Sequence, residues 1–143
     1  DDVRVILIKI ADRVHNMRTL DSMPPNKQLK ISGETLYIYA PLAHRLGLYA
    51  LKTELEDLSL KYKYPDQYKE IALQLRDKEE HPKYLVEQFI KPIENTLKGE
   101  NLSVTIKGRQ KSIYSIWKKM QIKKVSFDEV YDLLLTNNDV ILF

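Results

Sequence analysis

Between Val3 and Leu20 the apolar residues recur at helical spacing, and the polar residues gather on the other side. On a wheel of about 100° per residue, Val3, Ile6, Leu7, Ile10, Val14 and Met17 share one arc, which predicts a helix with that arc in a core. Lys9, Asp12, Asn16 and Thr19 fall in an opposite arc of roughly 80° together with Val5 and Ile8, a pattern that predicts a polar cleft with apolar walls. Farther on, DSMPPNKQ reads as a loop, because Pro24 and Pro25 remove two donors and hold the backbone extended. A second helix is expected from about Ser32, as its cap, to Leu46, with a kink at Pro41. Its apolar positions Leu36, Ile38, Tyr39, Leu42, Ala43 and Leu46 cover much of the circumference, which implies burial against several neighbours. Gly47 supplies a turn, and a third helix runs from about Tyr49 to Tyr62.

Glu54, Glu56 and Asp57 on that third helix read as a solvated face. Tyr64, Pro65 and Asp66 punctuate, and a helical pattern then extends from about Gln67 to Lys98, restarted at Pro82 and bent at Pro92. Leu102 to Lys107 alternates as a short half-buried strand. Gly108 ends it, and Ser112 is placed to cap a helix packed down by Ile113, Ile116, Trp117 and Met120. Ser126 caps one further turn, Tyr131 to Leu135 reads as a strand, and Asn137, Asn138 and Asp139 read as a turn. Val140 to Phe143 is left apolar without a clear partner, as a chain end or a divergent hairpin would leave it.

Composition narrows the possible classes. The chain has 143 residues, 43% of them hydrophobic, enough for one ordinary domain or parts of two. It contains no cysteine, which excludes disulfides and thiolate metal sites. No apolar run approaches the roughly 18 residues of a membrane span and no signal-peptide pattern begins the chain, so a soluble cytoplasmic protein with no membrane partner is expected. There is no initiating Met and a helix starts within two residues, which reads as an excerpt of a longer chain. His15 and His44 are expected to be packed or capped and His81 to lie at the surface, at spacings that suit no metal pair on one helix.

Two constellations carry chemistry. Lys9, Asp12, Asn16 and Thr19 bring an amine, a carboxylate, an amide and a hydroxyl to one helix face, where they can hold a metal and a phosphorylated ligand. On periodicity alone, a solvated face with Asp12 paired to Arg13 or Lys9 is the simpler reading. Lys107 to Val125 holds seven basic residues and no acidic one. Within it Lys111, Ser115 and Lys119 make a cationic stripe rising from a helix N-terminus, whose amides also favour anions. Arg109, on the turn before the helix, offers a planar guanidinium for a base or a phosphate. Nucleotide binding and an RNA-binding patch are about equally compatible with that composition. A stacking platform for RNA is not evident, because Trp117 lies on the packed side.

Three blocks, KIADRVHNMRTL, YAPLAHRLGL and ELEDLSLKY, resemble the end of the hydrolase domain of the RelA/SpoT family, enzymes that make and destroy guanosine tetra- and pentaphosphate (ppGpp, pppGpp). GRQKSIYSIWKKM resembles the opening of that family's synthetase domain, with Gln110 where Pro is usual. The resemblance covers roughly residues 1 to 135. It implies a mainly α fold: the C-terminal helices of an HD-type all-helical domain (1–48), a helical connector (49–100), and the first strand-helix-strand of an α/β nucleotidyltransferase-like domain (101–143). It implies that Asp12 is the last protein ligand of a catalytic manganese, that Asn16 and Thr19 contact the guanosine part of ppGpp, and that Lys9 lies near its phosphates. The Asp and Asn of ADRVHN imply descent from a hydrolysing type. In the second half it implies that Arg109 lies against the ATP adenine, that Lys111, Ser115 and Lys119 contact the ATP phosphates, and that Asp132 binds magnesium.

The intact enzyme would be a manganese-dependent 3′-pyrophosphohydrolase of ppGpp and a magnesium-dependent transferase from ATP to GTP or GDP, serving the stringent response. Ribosome or regulatory-protein contacts would run through domains outside this chain, and DNA is not an expected partner. One carboxylate does not make a manganese site, and the histidine and His-Asp ligands would precede Asp1, so the 143-residue chain alone is expected to turn over neither substrate. A non-catalytic nucleotide-binding regulatory module and a basic helical RNA-binding protein are the readings from other classes.

Overall fold

The structure, a computed structural model, describes residues 2–79, 91–92, 95–96, 106–107, 111–130 and 141–142. The chain divides into two compact units, Asp1–Lys69 with Ser112–Tyr114, and Glu70–Lys111 with Ser115–Phe143.

The first unit is helical. Helix α1 (Val3–Arg18) is capped by Asp2, whose carboxylate accepts the Arg4 N–H. A 3-10 turn at Leu20–Ser22 follows, then α2 (Pro25–Glu34). The expected loop through Gln28 and cap at Ser32 are thus corrected. Pro25 is itself the first helical residue, where no donor is needed and its fixed φ suits the helix. Ser32 is buried mid-helix, and its hydroxyl donates to the Gln28 carbonyl at 2.6 Å.

Helix α2 runs without a break into a π-type turn, Thr35–Tyr39, and then α3 (Ala40–Arg45). The distortion expected from Pro41 takes this form. Proline has no N–H for the Tyr37 carbonyl and its ring crowds that carbonyl, so the helix widens just before it. Leu36, Ala40 and Ala43 are buried, whereas Tyr37 and Ile38 point outward, so this segment buries one side rather than most of its circumference.

Gly47 ends α3 with φ +74°. The Leu48 N–H donates to the Ala43 carbonyl at 2.9 Å and the Gly47 N–H to the His44 carbonyl at 3.0 Å, the paired bonds of a Schellman stop. Helix α4 (Tyr49–Lys63) then packs back on α1, α2 and α3. Ile10, Val14, Met17, Leu20, Ala40, Ala43 and Leu55 form the core, with Ile6, Ile31, Leu51 and Leu58 at its edge.

Helix α5 (Pro65–Glu79) buries Ile71 and Leu75. The restart expected at Pro82 lies outside the described residues, and residues 91–92 and 95–96 are helical. In the second unit, Ile106–Lys107 (β1) pairs antiparallel with Ile141–Leu142 (β2), Ile106 opposite Leu142 and Lys107 opposite Ile141. This corrects the expectation that residues 140–143 lack a partner. The sequence offers no local turn between segments so far apart, so the pairing is not visible in any short window. Helix α6 (Ile113–Lys123) lies between them in the chain. The expected strand over 131–135 falls outside the described residues.

Ile116 is buried on α6, and Phe127 and Val130 follow in the next helical turn. Ser126 and Glu129 close that turn reciprocally. The Ser126 N–H donates to Glu129 Oε2 at 3.1 Å and the Glu129 N–H to Ser126 Oγ at 3.5 Å, a capping box spelled S-x-x-E. No helix among the described residues is long and apolar enough to cross a membrane.

Candidate functional site

The buried side of α1 determines what the other side presents. Ile10, Val14 and Met17 are fixed in the core, so Lys9, Asp12, Asn16 and Thr19 face outward, and all four are exposed. Asn16 Nδ2 donates to Asp12 Oδ2 at 3.1 Å, one helical turn away. The Thr19 hydroxyl, at the C-cap of α1, donates to the carbonyls of His15 and Asn16 at 3.2 and 3.4 Å.

Asp12 therefore has Asn16 as a neutral partner. Arg13, offered as its partner on sequence grounds, turns to Glu34 at 3.4 Å and lies over the Tyr39 ring at 4.1 Å. That pairing anchors α1 to α2 and leaves the Asp12 carboxylate facing solvent.

The expected cleft does not form among the described residues. Ile8 is 69% exposed and Val5 51%, so the residues read as apolar walls stand open beside the polar group. Val3 and Leu7, expected in the core, are likewise exposed, because packing on α1 begins at Ile6 and Ile10. His15 is exposed rather than packed. His44 is exposed as well, but its ring meets that of Tyr49 edge-on at 5.5 Å. His81 lies outside the described residues.

A metal centre needs several ligands converging on one point. No group of three histidine, cysteine, aspartate or glutamate side chains that could hold a metal occurs among the described residues. Asp12 is a hard oxygen donor suited to a divalent cation, but by itself it does not make a site.

The acidic residues of α4, expected to be a solvated face, are engaged. Glu54 accepts two hydrogen bonds from the Arg18 guanidinium, at 2.5 and 2.9 Å, and its carboxyl is held below the ordinary range chiefly by them. Glu56 is buried and pairs with Lys52 at 2.8 Å. Asp57 Oδ1 accepts the backbone N–H of Tyr114 at 2.8 Å. Burial pushes the Asp57 carboxyl up, opposed by the amides of Tyr114 and Ile113. Each of these acidic groups is engaged by a specific donor, and two of the donors lie 36 and 57 residues away in sequence.

Of the second constellation, Lys111, Ser115 and Lys119 are described, and Arg109 and Asp132 lie outside the described residues. Lys111, Ser115 and Lys119 are half-buried and none is without an interaction, whereas Lys118, Lys123 and Lys124 stand exposed. One expectation is corrected here. The amides at the N-terminus of α6, read as available to an anion, are partly taken by Asp57 from within the chain.

Comparison with known proteins supplies what the geometry lacks. Residues 1–49 match the HD domain family. The bifunctional (p)ppGpp synthase/hydrolase SpoT of Escherichia coli K12 is 43% identical over 132 residues, 92% of this chain and 19% of that protein. A GTP pyrophosphokinase of Myxococcus xanthus is 44% identical over 133 residues, 93% of this chain and 18% of its own length. A guanosine-3′,5′-bis(diphosphate) 3′-pyrophosphohydrolase of Vibrio cholerae is 42% identical over 132 residues, again 92% of this chain and 19% of the relative. The chain thus spans about a fifth of the length of these relatives. With this identity over more than nine-tenths of its length, the chain belongs to the RelA/SpoT family.

Proposed function

We propose that this chain is the part of a ppGpp-metabolising enzyme in which the end of a metal-dependent hydrolase domain passes into the start of a pyrophosphotransferase domain. The identity of 40–44% across at least 92% of the chain, to relatives named for hydrolysis and for synthesis alike, carries the reading. Residues 1–48 belong to the hydrolase, 49–100 are a helical connector, and 101–143 open a nucleotidyltransferase-like domain.

In the hydrolase half, Asp12 would give one carboxylate to a divalent cation, manganese by family resemblance. A bound divalent cation lowers the pKa of its water and so supplies the nucleophile near neutral pH. The exposed face of α1 is consistent with the remaining roles. Asn16 holds the Asp12 carboxylate by its amide and, with the Thr19 hydroxyl, would contact guanosine, while Lys9 would add positive charge for the phosphates. In the synthetase half, Lys111, Ser115 and Lys119 would bind the phosphates of ATP, Arg109 would serve its base, and Asp132 would hold magnesium, as the family resemblance implies.

Among the described residues, no group of three histidine, cysteine, aspartate or glutamate side chains gathers around Asp12. The 143-residue chain by itself is expected to be inactive in both directions. Two assays test this: ppGpp hydrolysis with manganese, and ATP-dependent pyrophosphoryl transfer to GTP with magnesium. Background rates in both agree with the proposal, and robust turnover in either refutes it.

A further inference from the structure

The carboxylate of Asp57 sits against the first turn of α6. Its Oδ1 accepts the Tyr114 N–H at 2.8 Å, and the Ile113 amide also donates to it. Ile113 and Tyr114 are the first two residues of α6, and that first turn contains no acidic side chain of its own. A helix N-terminus leaves its first amides without intrahelical acceptors and carries partial positive charge, so a carboxylate there satisfies donors and dipole together. Such caps usually come from the residue just before the helix. Here the anion comes from α4, 57 positions earlier. Asp57 and Ser112–Tyr114 belong to the same compact unit.

We propose that Asp57 is a positioning residue for the phosphate-binding stripe of Lys111, Ser115 and Lys119, fixing where α6 begins and hence the phase at which Ser115 and Lys119 come round that helix. The inference rests on the proposed ATP role of those three residues. It concerns a carboxylate that acts through the backbone of α6. Because a half-buried carboxylate surrounded by Lys52, Glu56 and Tyr68 is costly to desolvate, a purely space-filling role would suit an apolar side chain better.

Two substitutions in the 143-residue chain separate these roles. Asp57→Leu puts an apolar side chain in place of the acceptor, and Asp57→Asn keeps the shape and an acceptor oxygen without the charge. Amide exchange at Ile113 and Tyr114 is read by NMR, and ATP binding with magnesium by equilibrium dialysis. In Asp57→Leu the two amides are expected to exchange about tenfold faster relative to amides of α1. ATP binding is expected to weaken about fivefold, and Asp57→Asn to restore most of both.

Unchanged exchange at Tyr114, or exchange accelerated equally along α1, overturns the proposal. So does ATP affinity that is the same in all three proteins, or loss of the helical signal in Asp57→Leu. If the unsubstituted chain binds no ATP, the ATP reading of the stripe fails and the positioning role falls with it. Accelerated exchange confined to residues 113 and 114 would then show that the cap itself exists.

Discussion

Asn16 donates its side-chain amide to the Asp12 carboxylate at 3.1 Å, one turn along the exposed face of α1. An amide and a carboxylate so placed cost nothing to leave in water, so their pairing does little for stability. Asn16→Ala is expected to change unfolding free energy by no more than about 0.5 kcal/mol, the range of exposed helix pairs. In the natural protein that carries this sequence, the same change is expected to weaken ppGpp binding. Urea unfolding measures the first and equilibrium dialysis the second.

Two glycines give opposite signs for one substitution. Gly47 holds φ +74° and ends α3, so Gly47→Ala forces a side chain into the left-handed region and should destabilise by about 1–2 kcal/mol. Gly33 lies inside α2, and a Cβ there would meet nothing within 4 Å. Gly33→Ala should stabilise by about 1 kcal/mol through helix propensity and a less flexible unfolded chain. Thermal unfolding of both variants against the unsubstituted chain checks the contrast.

Lys124, just past α6, has φ 54° and carries a Cβ. The Val125 N–H donates back to the Met120 carbonyl at 3.3 Å, so the stop has the geometry that glycine normally provides. Lys124→Gly is expected to relieve the strain and raise stability by about 0.5–1 kcal/mol, measured by the same unfolding curves.

Glu54 and Asp57 should tilt the pH profile in opposite directions. Glu54 is depressed from 4.5, mainly by the hydrogen bonds from Arg18. Its contribution is present above that value and is lost as pH falls through the folded pKa. Asp57 is raised from 3.8, mainly by burial, so the folded state binds its proton more tightly. Its effect reverses in sign: stability falls as pH rises from 3.8 through the folded pKa. Glu54→Gln should flatten the acid side of the profile, and Asp57→Asn should remove the decline above it. Unfolding between pH 3 and 7 reads both, and high salt should weaken the Glu54 effect more.

The sequence made α1 legible because both of its faces are marked, one by apolar spacing and the other by polar residues at the same period. The start of α2 was hidden by Pro24 and Pro25, which read equally as a loop or as a helix entrance. The acidic residues of α4 look solvated in any short window, since Arg18 and the α6 amides lie far off in sequence. The pairing of β1 with β2 is hidden for the same reason. At Ser126 and Glu129 the S-x-x-E spacing of a capping box stands in the sequence itself, because both partners lie within one turn. The candidate site was legible as a face and not as a cleft, because Val5 and Ile8 record only where apolar residues fall and not what covers them.

The most direct test of the account is ppGpp hydrolysis with manganese by the natural protein that carries these residues, compared with its Asp12→Ala and Lys119→Ala variants. The account predicts that Asp12→Ala lowers hydrolysis by about 100-fold or more while Lys119→Ala leaves it near the unsubstituted rate. Hydrolysis that survives Asp12→Ala unchanged would contradict it.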